Sequence, residues 1–193
     1  MFHVKHLTSN KHYNSLIMNN KTLLDNLRCI PDFPKKGINF RDVTTLYKSA
    51  ECMKIMTEEL YELYKDKGIT KIVGIESRGF IMAAALASKL GCGMVMARKP
   101  GKLPAQTRKA TYMKEYGPDT IEIHDDAIAP DDVVLIHDDL LATGGSMQAV
   151  CELCKSFNPK KIYANFLLEL KIEGLDGRSV LNEFDVTSLL TIK

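Results

Sequence analysis

The chain has 193 residues, 45% apolar and 26% charged, a balance that suits a folded protein with a buried core and excludes a disordered or fibrous one. Its formal charge of +2 carries no long basic run, so a nucleic-acid partner is not expected and any anion binding has to be local. No apolar stretch reaches the ~18 residues that span a bilayer and no export signal follows the start, so a cytoplasmic protein without membrane contact is expected, its five cysteines free thiols.

Residues 1–20 are rich in Asn, Lys and His and lack periodicity, which predicts a disordered leader ahead of a single domain over 21–193. His3, His6 and His12 are spaced too irregularly there to suggest a metal site. Within Phe33 to Asp42, Pro34 and Gly37 predict a turn whose backbone can present donors and acceptors to a ligand. From Ser49 to Lys67, Met53, Met56, Leu60, Leu63 and Tyr64 recur at the spacing of an amphipathic helix that Gly68 can end.

Lys71 to Ile75 reads as a short buried strand, Glu76 to Gly79 as a turn, and Phe80 to Leu90 as an Ala-rich helix closed by Gly91. Met94 to Ala97 is the next strand. Residues 98–119 carry two Pro-Gly-type signals and many charges, which predicts a long loop, functional or disordered. Val133 to Ile136 is again strand-like, a helix follows from about Ser146 to Phe157, and Lys161 to Leu168 returns to a strand. Cys151 and Cys154 lie in that helix as a CxxC without a second ligand pair, so they read as buried thiols rather than zinc ligands. Strands alternating with helices predict an α/β domain, a largely parallel sheet flanked by helices, with ligands beyond the carboxyl ends of the strands.

The chemistry concentrates where the Val133 strand runs into Asp138-Asp139-Leu140-Leu141-Ala142-Thr143-Gly144-Gly145-Ser146. Adjacent glycines let backbone N–H groups turn toward one anion, Thr143 and Ser146 add hydroxyl donors, and a helix N-terminus adds partial positive charge. Asp138 and Asp139 repel phosphate but accept hydrogen bonds from vicinal ribose hydroxyls or hold a hydrated Mg²⁺. A ribose 5-phosphate satisfies both halves. A dinucleotide-binding domain is disfavoured, since GxGxxG is missing and the paired acids would repel a pyrophosphate.

This segment resembles the phosphoribosyl-pyrophosphate motif of the type I phosphoribosyltransferases, and is similar in detail to their adenine-specific branch. Three further blocks agree in order: Phe33 to Asp42; Glu76-Ser77-Arg78-Gly79-Phe80 with Arg98-Lys99-Pro100-Gly101-Lys102-Leu103-Pro104; and Glu115-Tyr116-Gly117. The resemblance covers about 21 to 193, including Leu168-Glu169-Leu170 and Gly177-Arg178. It implies the type I phosphoribosyltransferase fold, with a small hood and a flexible catalytic loop, acting on adenine and 5-phosphoribosyl 1-pyrophosphate.

By that resemblance Asp138, Asp139, Ala142, Thr143, Gly144, Gly145 and Ser146 hold the ribose and 5-phosphate. Ser77, Arg78, Arg98, Lys99 and Lys102 grip pyrophosphate, while Lys109 and Lys114 are expected as solvated loop charges. Asn39 and Arg41 read adenine's edge through their backbones, and Phe40 and Leu140 cover its faces. Glu115, beside Tyr116 in the mobile loop, is the expected catalytic residue. Mg²⁺ is expected on the cosubstrate and water near Asp138 and Asp139, with no direct protein ligand, in a homodimer. Two alternatives stay open at this stage: transfer to another purine base, or a ribose-phosphate sensor without catalysis. His137 departs from the family's apolar residue before the paired acids, and is expected to be structural.

Overall fold

A computed structural model describes residues 19–114, 117–172 and 174–193, so His3, His6, His12 and most of the expected leader lie outside it. The chain groups into two compact units, Met1–Met56 and Thr57–Lys193. In the first, residues 19–26 are helical (α1), and β1 (Arg28–Ile30) pairs antiparallel with β2 (Phe40–Asp42) ahead of a short α2 (Thr44–Tyr47). Asp42 ties this small sheet together. Its carboxylate accepts from Thr44 N (3.0 Å) and Oγ1 (2.6 Å) and pairs with Arg28, and these bonds, Thr44's foremost, pull its pKa down to about 2.

Helix α3 (Ala50–Tyr64) runs from the first unit into the second. Its buried stripe is Cys52, Met56, Leu60 and Tyr64, one residue every turn; Leu63, read from sequence as part of the stripe, is 43% exposed.

The second unit is built on five parallel strands in the order β4-β3-β7-β8-β9, with β3 (Lys71–Ile75), β4 (Gly93–Ala97), β7 (Val133–Leu141), β8 (Lys161–Leu170) and β9 (Asp185–Ile192). Apolar runs such as Ile72-Val73 and Leu135-Ile136 are buried because parallel sheets are covered on both faces. Helix α4 (Gly79–Leu90) follows β3 and ends where Gly91 takes a left-handed φ of 71° and Cys92 N–H bonds Ala87 O. Helix α5 (Gly145–Lys155) follows β7 and buries Met147, Val150, Cys151 and Cys154. Burial pushes the Cys151 thiol up to about 12 and Cys154 up as well, which fits packing groups rather than reactive ones.

Two elements differ from the sequence reading. Strand β7 continues five residues past Ile136, because its pairing with β8 runs on to Leu141↔Glu169. The stretch predicted as a loop over 98–119 instead forms, from Thr107 on, an antiparallel ribbon of β5 (Thr107–Lys114) and β6 (Gly117–His124). Ile121 and Ile123 of the ribbon are buried in the core cluster, with Ala110 and Tyr112 packed against it. Burial of one ribbon face overrides a sequence dominated by charge.

Across β3, β7, β8 and β9 one register row reads Gly74, His137, Asn165, Thr187. His137 Nδ1 lies 2.8 Å from Asn165 Oδ1, Asn165 Nδ2 donates to Thr187 Oγ1 (2.9 Å), and Thr187 Oγ1 meets Tyr64 Oη at 2.5 Å. His137 is fully buried, and its burial pulls the pKa down to about 4, so it is a neutral structural group.

Candidate functional site

The strand order reverses at β3: the chain proceeds from β3 to its neighbour β4 on one side and later fills β7, β8 and β9 on the other. Ligands of open α/β sheets sit in the crevice at such a switch point, outside the carboxyl ends of the strands. Here that crevice lies between the ends of β3 and β7. Two cavities open there. One, of about 150 Å³, is lined by Asp138, Leu140, the 142–146 loop, Met147 and Phe166. The other, of about 300 Å³, is lined by Glu76, Ser77, Arg78, Asp138, Asp139 and Leu140.

The first cavity has features that suit an anion. Chain leaving β7 turns at Gly144, whose φ of 80° only glycine adopts without strain, directly into the N-terminus of α5. Unpaired N–H groups of a helix's first turn and its positive dipole end then face the loop. Ser146 Oγ donates to Tyr112 Oη at 3.2 Å, and Tyr112 in turn bonds Asp119 (3.2 Å), so the ribbon touches the loop. Tyr112 was not singled out from sequence, since a Tyr in a charged stretch carries no signal of its own.

In the second cavity Arg78 stands at the N-terminal boundary of α4 and its Nε donates to Asp139 Oδ2 at 2.5 Å. Asp139 N–H in turn donates to Asp138 Oδ1 at 2.9 Å. Burial and the adjacent Asp139 charge push Asp138's pKa well up, so this carboxyl holds a proton more readily than an ordinary aspartate. Gly79 lets this corner close: a Cβ on it would stand 2.7 Å from His137 O and 3.1 Å from Asp138 Oδ1. The Glu76–Ser77 peptide is cis.

The basic block after β4 is organised by Glu76. Arg98 Nε donates to its carboxylate at 3.1 Å and Lys99 N–H at 2.9 Å, and Arg98 Nη1 also reaches Lys102 O at 3.2 Å. Burial alone would raise the Glu76 pKa, but the Lys99 N–H and Arg98 outweigh it and hold the carboxyl below its ordinary value. Lys99 Nζ pairs with Asp119 and Lys109 Nζ with Glu122 at 2.7 Å. Lys102 Nζ makes no ion pair among the described residues. Glu76, part of a sequence motif but not weighed as an organiser, is therefore the residue that assembles this block.

In the first unit Asn39 is exposed and Phe40 half-buried, its ring edge-on to Phe33 with centroids 5.3 Å apart. Gly37, at φ 89°, donates its N–H to Asp32 Oδ1 at 2.7 Å, which fixes the turn that precedes Asn39, Phe40 and Arg41. Leu140 belongs to the second unit and lines both cavities. Glu115 and Tyr116 lie outside the described residues, as do the side chains of Met113 and Lys114.

A family model for the phosphoribosyl transferase domain matches residues 42–177. The chain is similar to the adenine phosphoribosyltransferases of Phocaeicola vulgatus, at 60% identity over 91% of this chain and 100% of that one, and of Bacteroides thetaiotaomicron, at 55% over 92% and 100%. Among solved structures it is similar to the adenine phosphoribosyltransferase of Rhodothermus marinus, with TM-score 0.84 and 44% identity over 91% of this chain and 99% of that one. It is likewise similar to the Saccharomyces cerevisiae enzyme complexed with an imino-altritol bisphosphate and adenine, with TM-score 0.83 and 39% identity over 90% and 99%.

Proposed function

The chain belongs to the phosphoribosyltransferase family, within its adenine phosphoribosyltransferases, and from that premise we propose how its residues carry the reaction of purine salvage. The 5-phosphoribosyl group passes from 5-phosphoribosyl 1-pyrophosphate to adenine, giving AMP and pyrophosphate. The observation that carries this reading is the pair of cavities sharing Asp138 and Leu140 at the ends of β3 and β7. One suits a sugar phosphate and the other its pyrophosphate.

Backbone N–H groups at 143–146, with the Thr143 and Ser146 hydroxyls and the end of α5, receive the 5-phosphate. Asp138 and Asp139 accept from the ribose hydroxyls. Ser77, Arg78, Arg98, Lys99 and Lys102 surround the leaving pyrophosphate with donors and positive charge, which grows in value as negative charge leaves the sugar. By the family resemblance, Asn39, Phe40, Arg41 and Leu140 are the residues that receive adenine. The oxygen donors of Asp138 and Asp139 suit a small hard cation reached through water, so Mg²⁺ dependence belongs to the proposal. When bound to the pyrophosphate, Mg²⁺ neutralises charge on the leaving group.

Glu115 is proposed as the proton-transferring residue at the purine, with Tyr116 beside it. Glu115→Gln should lower kcat by about 10²- to 10⁴-fold while the KM for 5-phosphoribosyl 1-pyrophosphate stays near wild type. Unchanged turnover would remove Glu115 from the chemistry. A cytoplasmic homodimer is part of the same proposal, supported by the family resemblance; sedimentation at assay concentration reads the assembly.

The reading as a whole is tested by supplying 5-phosphoribosyl 1-pyrophosphate with adenine, hypoxanthine, guanine or xanthine in turn, with Mg²⁺ and with a chelator. AMP from adenine alone, lost with the chelator, is the expected result. Nucleotide from a different base, or from none, overturns it.

A further inference from the structure

We infer that the turn carrying Gly177 and Arg178 is the platform that positions the ribose-phosphate loop, with Arg178 as its positioning residue. The inference rests on reading residues 142–146 as a phosphate site, and says what holds that loop in place.

The two segments meet backbone to backbone. A Cβ at Gly144 would stand 2.5 Å from Gly177 O and 2.7 Å from Val180 Cγ2. A Cβ at Gly177 would in turn press on Ala142 O and stand 2.6 Å from Leu141 Cδ1. Neither gap has room for a side chain, so the phosphate loop lies directly on the turn. Any shift of the turn is passed to the N–H groups at 143–146 without an elastic layer between.

Arg178 is what fixes the turn. Its Nε donates to Glu169 Oε1 at 2.6 Å and its Nη2 to Glu169 Oε2 at 2.7 Å, a two-pronged pairing with a carboxylate that is only 2% exposed near the end of β8. Nη1 donates to Val186 O at 3.0 Å, and Nη2 reaches Ser188 Oγ at 3.3 Å, both on β9. Four bonds thus tie one side chain to two strands. The Arg178 carbonyl accepts from Leu181 N–H at 3.0 Å, starting the Ser179–Leu181 3-10 turn that buries Leu181 in the core. Lys171 Nζ stands 3.7 Å from the same Glu169, a longer contact on an already satisfied carboxylate.

Arg178 does not line the phosphate cavity. It lines a separate one of about 360 Å³ with Leu141, Glu169 and Gly177. Its influence on phosphate is therefore transmitted through the turn, and a lysine, with one point charge in place of a planar fork, cannot reproduce it.

The test compares two variants with the wild type: Arg178→Lys, and Glu169→Gln combined with Arg178→Met, which removes both charges together and leaves no buried carboxylate without its partner. Calorimetry reads ribose 5-phosphate and inorganic pyrophosphate binding separately, beside steady-state kinetics. In both variants the Kd for ribose 5-phosphate and the KM for 5-phosphoribosyl 1-pyrophosphate should rise about 10-fold or more, while the pyrophosphate Kd and adenine KM stay within about twofold. Wild-type affinity for ribose 5-phosphate in a folded variant overturns the inference. So does a parallel loss of both ligands, which marks general loosening. If the wild type itself makes AMP yet binds no ribose 5-phosphate, the platform idea falls alone; if it makes no AMP, the functional reading falls with it.

Discussion

Replacing Gly144 by alanine is expected to lower kcat/KM for 5-phosphoribosyl 1-pyrophosphate by about 10²- to 10³-fold, with most of the loss in KM. Two costs act on the same residue. A non-glycine residue at φ 80° carries backbone strain of ~1–3 kcal/mol. The added Cβ also meets Gly177 O at 2.5 Å and Val180 Cγ2 at 2.7 Å, and displacing packed atoms costs a further ~1–3 kcal/mol. Both are relieved by moving the loop away from the turn, which spoils the geometry proposed for the 5-phosphate site. Gly91→Ala is the control, because Gly91 shares a positive φ of 71° but faces open space. It should cost about 1 kcal/mol of stability and leave the kinetic constants unchanged. Initial rates at varied cosubstrate, with melting curves for both variants, separate the two effects. A Gly144→Ala enzyme with wild-type KM would show that the loop is not held where phosphate binds.

The second large effect is on stability against pH. His137 titrates at about 4 in the folded chain against an ordinary 6.5, with burial as the main cause. Between those values the unfolded chain binds a proton that the folded chain refuses. Its contribution is therefore fully present above 6.5 and is lost as pH falls toward 4. At ~1.4 kcal/mol per pH unit the whole window is worth about 3 kcal/mol. Denaturant unfolding at pH 7 and pH 4.5 measures the loss. The double replacement His137→Val with Asn165→Val removes the titrating group together with its partner, leaving Thr187 on Tyr64, and should flatten the profile in this window. Asp138, with its raised pKa, acts in the opposite sense, stabilising at low pH and losing that contribution as pH rises; being common to both proteins, it largely cancels in the comparison. An equally steep profile in the double variant would mean that His137 does not set the acid limit.

The parts of the fold legible in the sequence were those where periodicity and turn chemistry agree. Lys71–Ile75 and α4 with its closing Gly91 follow that rule, as does the passage around Asp138 to Ser146 from strand through glycines into a helix. Strand β7 was cut short because His137, Asp138 and Asp139 look like a loop, and their partners, Asn165 from β8 and Arg78 just before α4, make them tolerable within a buried strand. The ribbon of β5 and β6 was hidden because charges such as Lys109 read as solvated loop residues, whereas Lys109 pairs with Glu122, which is 2% exposed. Pairings between distant residues such as Arg98 with Glu76 leave no local trace, so the organising role of Glu76 needed three dimensions.

Asp138 and Leu140 line both cavities at the ends of β3 and β7. A ligand that fills both at once is held as a chelate: once one end docks, the other is presented at a high effective concentration. Separate sugar phosphate and pyrophosphate gain nothing from this tether. The bond broken in the proposed reaction is the tether itself, so turnover leaves pyrophosphate held by its own contacts alone, whereas AMP keeps the sugar-phosphate contacts and is tethered anew through its base.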